Sequence, residues 1–478
     1  MTDVQKPQIS FGTDGWRGII ADNFTGANVR LVSQAVVNYF LRPTVPGEPI
    51  VFIGYDNRSQ SEYFAAEAAK VVAASGLKAV LSAQSCSSPS ISYNAHKSNA
   101  KGGIMITASH NPPQFNGLKI KMGFGGSALP SDVDEIVKEL NALYEKGQFT
   151  VDVPADAADK IETRDLRPAY FDGLRGMVDL EKIASAKFRV VADPMHGSGS
   201  GYLSDILRGD GVEIEEICRD RNPVFGGLNP EPIIQNLGPL KDAVLASSAD
   251  VGVAIDGDAD RVGAMDSDGN FVDSHRIFAL LLRHLYEDKG QRGSVIKTVS
   301  TTTLIDKLCA KYGLPLRVVP IGFKNICDWM LKEDVLIGGE ESGGIGVQGF
   351  IPERDGPLMS LLLLETMATR KKRLEEQIAE LMAEFGPHEY QRVDLHPAPS
   401  KMAAVIQSLK EDNPTEIAGQ PVRSIDRTDG TKFLLDNDAW LLLRASGTEP
   451  VVRVYAESSS QAKVQELIDA GMGLVERA

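Results

Sequence analysis

Short apolar segments that end in polar, glycine-containing loops recur through the first three quarters of the chain. Examples are the segments 51–55 (VFIGY), 102–107 (GGIMIT), 188–192 (FRVVA) and 251–255 (VGVAI). Apolar runs of this length, alternating with amphipathic helical patterns, predict α/β layers. Because ligands gather at the carboxyl ends of strands in such folds, functional residues are expected in the loops that follow these segments.

The length of 478 residues predicts several domains, because a single hydrophobic core stops growing at roughly 250–300 residues. Polar linkers, a turn signal and a Gly-Pro helix stop divide the chain into 1–155, 156–267, 268–386 and 387–478. The first three domains are expected to be α/β and the last a smaller α+β domain. In the first domain, Ser59 and Glu62 have capping-box spacing and predict a helix that continues through Ala74.

The composition excludes several classes of function. Lys and Arg number 50 against 65 Asp and Glu, a net charge of −15 without a basic stripe, so we expect no nucleic-acid partner. The N-terminus lacks a signal-peptide pattern and no apolar run reaches the roughly 18 residues that span a bilayer, so we expect a cytoplasmic protein without membrane contact. Four dispersed cysteines lack the C-x-x-C spacing of zinc sites. The sequence contains no heptad run, so it does not indicate the oligomeric state.

The segment 107–112 (TASHNP) places the hydroxyl of Ser109, followed by His110, directly after a predicted strand. A serine hydroxyl becomes a nucleophile when a neighbouring group activates it. On this loop alone, a serine that only shapes a turn fixed by Pro112 and Pro113 is an equal alternative. A serine hydrolase is disfavoured because the G-x-S-x-G spacing is absent.

Three carboxylates alternate in the segment 256–261 (DGDADR), at Asp256, Asp258 and Asp260. Carboxylates that converge in a glycine-containing loop select a hard cation such as Mg²⁺. An EF-hand loop needs Gly at its sixth and Glu at its twelfth position, where this chain has Arg261 and Ser267. A solvated acidic turn is the other alternative, which the repulsion between like charges disfavours.

Three further loops offer groups that suit a phosphorylated sugar. The segment 338–344 (GGEESGG) sets carboxylates and a hydroxyl among glycines, and carboxylates accept hydrogen bonds from sugar hydroxyls. The segment 444–450 (RASGTEP), with Arg453 beyond it, offers the guanidinium, hydroxyl and backbone groups that bind phosphate. Arg17, between two glycines, offers a fixed positive charge. Taken singly, each of these loops is as compatible with a structural role.

Together, and in this order, the five loops resemble those of the α-D-phosphohexomutase superfamily over the whole chain. The resemblance implies four domains around a central cleft, three α/β domains with mixed sheets and a smaller C-terminal α+β domain. It implies an intramolecular phosphotransferase that interconverts hexose 1-phosphate and hexose 6-phosphate through a phosphoserine and a 1,6-bisphosphate intermediate. It also implies Mg²⁺ as cofactor, hexose 1,6-bisphosphate as activator and small-molecule phosphosugars as ligands.

The resemblance also assigns roles to residues. Ser109 would carry the phosphoryl group and bind Mg²⁺ together with the three aspartates of the 256–261 loop. His110, Lys119 and Arg17 would transfer protons or neutralise charge. The sugar and its phosphate would contact Gly322, Phe323, Lys324, Glu340, Ser342, Arg444, Ser446, Gly447, Thr448 and Arg453. Looser matches place three more residues around the metal and substrate contacts, namely Arg261, Lys297 and Arg354.

Residues 340–344 (EESGG) bear on the identity of the sugar. Phosphoglucosamine mutases typically carry Gln in the second place and His at the end of this loop, and many phosphomannomutase/phosphoglucomutases also end in His. Gly344 therefore favours glucose slightly over mannose. Two alternatives to a mutase stay open: a glucose-1,6-bisphosphate synthase that uses the same phosphoserine with a separate donor, and a sugar-phosphate sensor in which Ser109 never carries phosphate.

Overall fold

The computed structural model describes residues 6–12, 15–209, 211–411, 413–445 and 451–477. Within these ranges the chain forms the four predicted domains, three with mixed sheets and a C-terminal one with an antiparallel sheet. The four apolar segments that predicted strands all lie largely within strands. No helix in the described ranges is long and apolar enough to cross a membrane.

The first domain is an α/β unit that carries the Ser109 loop. Its elements are β1 (Trp16–Ile19), α1 (Gly26–Phe40), β2 (Glu48–Tyr55), α2 (Ser61–Ala74), β3 (Lys78–Ser82), α3 (Ser88–Lys97), β4 (Ala100–Ile106), β5 (Phe115–Met122), α4 (Pro130–Glu145) and β6 (Glu162–Arg164). The sheet order is β1-β5-β4-β2-β3-β6. β2, β3, β4 and β6 are parallel, whereas β5 runs antiparallel to β4 and β1.

Two predictions for this domain need correction. The capping box at Ser59 does not form: α2 begins at Ser61, and Gln60 before it has a left-handed backbone (φ 60°) and makes no side-chain cap. Ser61 Oγ instead donates to Asp56 Oδ1 at 2.7 Å, so its hydroxyl supports the loop after β2. The predicted boundary at 155 also falls too early, because β6 is hydrogen-bonded into this sheet.

The second domain carries the aspartate loop (residues 256–261). Its elements are α5 (Arg167–Arg175), α6 (Leu180–Ala186), β7 (Arg189–Asp193), α7 (Tyr202–Ile206), β8 (Glu213–Glu216), α8 (Gly238–Ser247), β9 (Val251–Ile255), β10 (Val262–Asp266) and β11 (Phe271–Val272). The sheet order is β11-β10-β9-β7-β8, with β7 parallel to β8 and β9 and with β10 antiparallel to its neighbours. β11 extends this sheet past the predicted boundary at 267.

The third domain carries the glutamate loop (residues 338–344). Its elements are α9 (Ser274–Arg283), β12 (Ser294–Thr298), α10 (Leu304–Tyr312), β13 (Leu316–Val319), α11 (Phe323–Met330), β14 (Val335–Gly339), β15 (Ile345–Val347), α12 (Gly356–Arg370) and α13 (Leu374–Phe385). The sheet order is β13-β12-β14-β15, in which only the β14–β15 pair is antiparallel. α13 ends before Gly386, as the glycine–proline signal predicted.

The fourth domain is smaller and its main sheet is antiparallel. Its elements are β16 (Glu389–Leu395), α14 (Met402–Glu411), β17 (Glu416–Ile417), β18 (Gln420–Pro421), β19 (Ser424–Asp426), β20 (Thr431–Leu434), β21 (Trp440–Ala445), β22 (Val452–Ser458) and α15 (Gln461–Arg477). The main sheet has the order β16-β22-β21-β20-β19, and β17 pairs with β18. The predicted strand at 440–443 and the closing helix are both present.

The first three domains place a functional loop at the same point of their sheets. In each, a buried strand with a parallel neighbour is followed by a loop and then by a strand that returns antiparallel beside it: β4 and β5, β9 and β10, β14 and β15. The backbone of each loop passes through the left-handed region, at Ser109 (φ 52°), Ala259 (φ 59°) and Gly343 (φ 90°). This conformation lets the chain reverse within a few residues.

Packing between domains brings these loops together. The second and third domains share one hydrophobic core in which α12 is buried, whereas the first and fourth have cores of their own. The fourth domain packs on the third through Val299, Trp440 and Tyr455, and Lys432 Nζ donates to the Val299 carbonyl at 2.6 Å. The third domain therefore connects the second domain with the fourth.

Candidate active site

The Ser109 hydroxyl lies at the junction of the first and second domains. Its side chain is buried, and Oγ donates to Asp256 Oδ2 at 2.9 Å. Nδ1 of the half-buried His110 lies 3.3 Å from the same Oγ. Arg17 Nη1 donates to Asn111 Oδ1 at 2.6 Å, which places this guanidinium beside the same loop. The structure thus brings Ser109, His110 and Arg17 together with the aspartate loop.

The surroundings of His110 keep its imidazole neutral. Burial, together with the positive charges of Arg261, Arg17 and Lys119, holds the pKa of its imidazole well below 6.5. The ring is therefore neutral near pH 7, because the surrounding cations disfavour a positive charge on the imidazole. A neutral imidazole 3.3 Å from a hydroxyl can take up a proton when that oxygen reacts.

The aspartate loop gathers three buried carboxylates. One oxygen from each of Asp256, Asp258 and Asp260 lies within 4.8 Å of the others. Asp256 Oδ1 accepts the backbone N–H groups of Asp260 (2.8 Å) and Arg261 (3.0 Å), which fixes the turn. Among the described residues, Asp258 Oδ1 and Asp260 Oδ1 accept no hydrogen bond although both are buried. Buried carboxylate oxygens without donors fit an oxygen-coordinated divalent cation.

Cations of this chain neutralise only part of that charge. Lys119 Nζ donates to Asp258 Oδ2 (2.7 Å) and Asp260 Oδ2 (2.9 Å), and Arg354 Nε lies 2.8 Å from Asp260 Oδ2. Burial opposes ionisation of Asp260, yet Arg354 and Lys119 hold the pKa of this carboxyl well below 3.8. The pKa of Asp256 is well above 3.8, because of burial and the charges of Asp260 and Asp258. A bound cation would relieve this repulsion.

The glutamate loop is hydrogen-bonded to the aspartate loop. Val262 N donates to the Gly343 carbonyl at 3.1 Å, and a Cβ at Gly343 would lie 2.5 Å from the Val262 carbonyl oxygen. Glycine is therefore required at 343 both by this contact and by its positive φ. The approach places the loop that carries Glu340 and Ser342 next to the aspartate loop.

Glu340 lies between residues 322–324 and the aspartate loop. Its Oε1 accepts Gly322 N–H at 2.9 Å, and its Oε2 lies 3.3 Å from Arg354 Nη1. Arg354 thus contacts both Glu340 and Asp260. A Cβ at Gly344 would lie 2.7 Å from Arg354 Cδ, so this arginine occupies the space that a larger residue at 344 would need.

In the fourth domain, Arg444 is held against the third. Its Nε donates to Asp429 Oδ1 at 2.9 Å, and Asp429 Oδ2 accepts Ile321 N–H at 2.9 Å, directly before the 322–324 loop. Arg453 is the register partner of Arg444 on the neighbouring strand, and its Nε lies 3.4 Å from Asp394 Oδ2. The other predicted residues of this loop, Ser446, Gly447 and Thr448, lie outside the described residues.

Two of the predicted residues have a different environment from the one expected. Lys297 is buried in the third domain, where its ammonium donates to the carbonyls of Thr302 (2.9 Å) and Thr301 (3.4 Å) and pairs with Asp306. It stabilises the loop after β12 and does not lie beside the aspartate loop. Phe323 is buried in the core of the third domain, so only its backbone is available to a ligand. Lys324, by contrast, is partly exposed and shares with Arg17 the lining of an open cavity of about 1060 Å³.

Sequence reasoning missed Asp56 and Arg58, which follow β2. Both side chains are fully buried, and Arg58 contacts the backbone of the Ser109 loop. The signal was present in the sequence, because these residues stand at the carboxyl end of a predicted strand, where functional residues are expected. Neither residue type by itself distinguishes a site from a structural ion pair.

Models of the phosphoglucomutase/phosphomannomutase family match all four domains. Alpha/beta/alpha domain I matches residues 8–146, domain II 168–269, domain III 273–385 and the C-terminal domain 394–472. A phosphoglucomutase/phosphomannomutase of Thermococcus kodakarensis is 30% identical over 470 residues, 98% of each chain. The chain belongs to this family, within the α-D-phosphohexomutase superfamily. It is accordingly a phosphohexomutase, an isomerase-type phosphotransferase.

Relatives with different named substrates share this architecture. A solved structure from Thermus thermophilus, described as a phosphomannomutase, matches with a TM-score of 0.87 at 35% identity, over 99% of this chain and 100% of that one. A phosphoglucosamine/phosphogalactosamine mutase of Sulfurisphaera tokodaii is 27% identical over 476 residues, 98% of this chain and 99% of the relative. Membership of the family therefore defines the reaction class but does not identify the sugar.

Proposed function

We propose that this phosphohexomutase interconverts glucose 1-phosphate and glucose 6-phosphate, with mannose phosphates as second substrates, and that Ser109 carries the phosphoryl group. The observation that carries the proposal is the position of Ser109 Oγ, 2.9 Å from Asp256 Oδ2 and beside Lys119, Arg17 and His110. Phosphoryl transfer requires in-line positioning and positive charge around the transferred oxygens, and Lys119 and Arg17 supply the positive charge.

The Ser109 hydroxyl has two proton acceptors for the step in which it takes up a phosphoryl group. When Oγ forms its bond to phosphorus, the bond between phosphorus and the sugar oxygen breaks. The serine hydroxyl gives up its proton, and the departing sugar oxygen takes up a proton to become a hydroxyl. Asp256 Oδ2 (2.9 Å) and neutral His110 Nδ1 (3.3 Å) are both in reach of the serine proton. In the reverse step, an acid in the same place returns a proton to the serine oxygen.

The three aspartates and Ser109 would hold Mg²⁺, since one oxygen of each aspartate lies within 4.8 Å of the others and, among the described residues, Asp258 Oδ1 and Asp260 Oδ1 accept no hydrogen bond. When bound, Mg²⁺ supplies charge stabilisation to phosphoryl oxygens. Without a bound cation, Lys119 reduces the repulsion between the aspartates, because its ammonium contacts Asp258 and Asp260. Arg261 contributes a further positive charge, with its Nε 3.9 Å from Asp260 Oδ1.

The far end of the substrate would lie between the third and fourth domains. Glu340 and Ser342 offer acceptors for sugar hydroxyls, and Arg444, Arg453 and the 446–448 segment offer donors for the phosphate that does not react. The 322–324 loop lies between these groups, because Gly322 contacts Glu340 and Ile321 contacts Asp429. A 1,6-bisphosphate would exchange its two ends between Ser109 and this phosphate site.

The preference for glucose rests on the glutamate loop. Arg354 fills the space beside Gly344, so no larger side chain projects from this position towards the sugar. Glu341 stands where phosphoglucosamine mutases typically carry Gln, and its Oε2 accepts from Ser300 Oγ at 2.5 Å. At both positions the loop departs from the pattern typical of phosphoglucosamine mutases, and this departure supports a neutral hexose over an amino sugar.

The proposal is tested by ³¹P NMR with purified protein, Mg²⁺ and glucose 1-phosphate, mannose 1-phosphate or glucosamine 1-phosphate, each with and without glucose 1,6-bisphosphate. We expect glucose 6-phosphate to form fastest and the bisphosphate to shorten the lag. The Ser109→Ala variant is the matched control and should form none. Net accumulation of bisphosphate with little 6-phosphate would instead identify a bisphosphate synthase, and binding without turnover would identify a sensor.

A further inference from the structure

We infer that Arg58 is a positioning residue for the phosphoryl-carrying serine, acting through the backbone of the Ser109 loop. This inference rests on the proposed role of Ser109. Arg58 lies directly after β2, and its side chain has no exposed surface. A fully buried guanidinium is rare, because burying a charge is costly unless it is paired and hydrogen-bonded.

All four Nη–H groups of Arg58 are directed at one loop. Nη2 donates to the carbonyl oxygens of Ser109 (2.6 Å) and Asn111 (2.5 Å). Nη1 donates to those of Pro112 (2.9 Å) and Phe115 (3.1 Å). One side chain therefore binds four of the seven carbonyls between Ser109 and Phe115.

The sequence of the loop explains why it needs such a partner. Pro112 and Pro113 have no N–H, so the loop carries more carbonyl acceptors than it has donors to satisfy them. Ser109 itself has a left-handed backbone (φ 52°), which a residue with a Cβ adopts only when its surroundings hold it there. The guanidinium fixes the peptide unit that follows Ser109 by its carbonyl oxygen, and so sets the direction of the Cα–Cβ bond that carries Oγ.

Arg58 also keeps negative dipoles away from the transferred group. A carbonyl oxygen directed at the phosphoryl oxygens would repel them. The carbonyls of residues 109, 111, 112 and 115 instead accept hydrogen bonds from the guanidinium. Because the peptide bond is trans and planar, the N–H of His110 points away from Arg58 when the Ser109 carbonyl points towards it.

Arg58 is itself held on two sides. Its Nε lies 3.2 Å from Asp56 Oδ2, and Asp56 accepts from Ser61 Oγ (2.7 Å) and Thr107 Oγ1 (2.6 Å). Phe225 of the second domain covers the guanidinium at 4.9 Å between Cζ and the ring centroid. Lysine could not replace this arrangement, because a single ammonium has three donors at one point and lacks the planar fork.

The test compares Arg58→Met, Arg58→Lys and Asp56→Asn with wild type. Arg30→Met serves as control, because Arg30 lies in the same domain and pairs with Glu67 and the Val151 carbonyl, away from the Ser109 loop. For each protein, kcat and KM for glucose 1-phosphate are measured. Intact mass at timed intervals gives the rate at which glucose 1,6-bisphosphate phosphorylates Ser109, and melting temperatures report folding.

For Arg58→Met we expect kcat and the rate of Ser109 phosphorylation to fall about 100-fold, since misplacement of a reacting group by about 1 Å costs this much. KM should stay within about twofold, because the sugar and phosphate loops of the third and fourth domains are unchanged. Arg58→Lys and Asp56→Asn should lose about tenfold each in kcat. Arg30→Met should lower only the melting temperature.

A purely structural role gives a different pattern. If the folded Arg58 variants lower the melting temperature as the control does, while kcat and the phosphorylation rate stay within twofold of wild type, the inference is wrong. If Arg58→Met does not fold, Arg58→Lys and Asp56→Asn decide by the same criterion. If wild-type Ser109 itself is never phosphorylated, the proposed function fails and the inference falls with it, a result distinct from normal phosphorylation in every variant.

Discussion

Replacing Lys121 by Met should destabilise the junction of the first and third domains strongly. Lys121 Nζ lies 2.5 Å from Glu353 Oε2, and the two side chains are 0% and 1% exposed. Removing one partner of a buried ion pair leaves an uncompensated charge, which costs about 3–5 kcal/mol. We expect the lower end of this range, because Glu353 Oε2 keeps the hydroxyls of Ser127 (3.1 Å) and Ser92 (3.2 Å) as donors.

The assay is hydrogen exchange measured by mass spectrometry on peptides from β5 and α12, which gives the free energy of opening on each side of the junction. Lys138→Met is the control, because Lys138 and Glu135 form a pair of the same 2.5 Å length with 68% and 36% exposed side chains. An exposed pair contributes about 0–1 kcal/mol. The double variant Lys121→Met with Glu353→Leu should cost less than the sum of its single variants, since no unpaired charge remains.

The reasoning is refuted if Lys121→Met changes the opening free energy by no more than Lys138→Met does. It is also refuted if the double variant costs as much as both single variants added together, because two residues that interact should show a coupling energy.

Three other perturbations test the site and its support. Chelation of divalent cations should abolish turnover, and added Mg²⁺ should restore it, whereas Asp258→Asn should respond to neither; full activity in excess chelator would contradict the metal assignment. Asp429→Asn should raise KM about tenfold with little change in kcat, since a hydrogen bond to a charged group contributes about 1.5–3 kcal/mol and this pair is partly exposed; an unchanged KM would show that Asp429 does not position Arg444. Burial opposes ionisation of Glu365, yet His284 and Lys289 lower its pKa from 4.5 to about 2. The ionised carboxylate therefore stabilises the folded state by about 3 kcal/mol. This contribution is complete above pH 4.5 and is lost as pH falls towards 2. The difference in unfolding free energy between wild type and Glu365→Gln should therefore narrow between pH 6 and pH 3, and a constant difference would contradict the assignment.

The loops that could be predicted from the sequence are those whose chemistry is local. Asp256, Asp258 and Asp260 lie within five residues at the end of an apolar run, so residue type and position alone indicated a cation site. The left-handed backbone at Ser109, by contrast, depends on carbonyl contacts with Arg58, which is 51 positions earlier in the chain. The position of Arg58 after a predicted strand marks it as a candidate, but no local pattern shows its contact with the Ser109 loop, and this is why its role was missed.

Errors in the prediction have the same origin. Lys297 stands at the end of a strand as a site residue would, but the fold turns its ammonium to the carbonyls of the loop that follows. Short strands such as β6 and β11 are defined by their hydrogen bonds to neighbouring strands. Two or three residues are too few to show a periodicity in the sequence. The boundaries at 155 and 267 were accordingly placed before the last strand of each sheet.

The measurement that tests the central claim most directly is the intact mass of the protein after incubation with glucose 1,6-bisphosphate and Mg²⁺. We predict that wild type gains a single phosphoryl group, that peptide mapping locates it on Ser109, and that glucose 1-phosphate then removes it with formation of bisphosphate. Ser109→Ala should gain nothing under the same conditions. A wild-type protein that forms glucose 6-phosphate but never carries phosphate, or that carries it on another residue, would contradict the role assigned to Ser109.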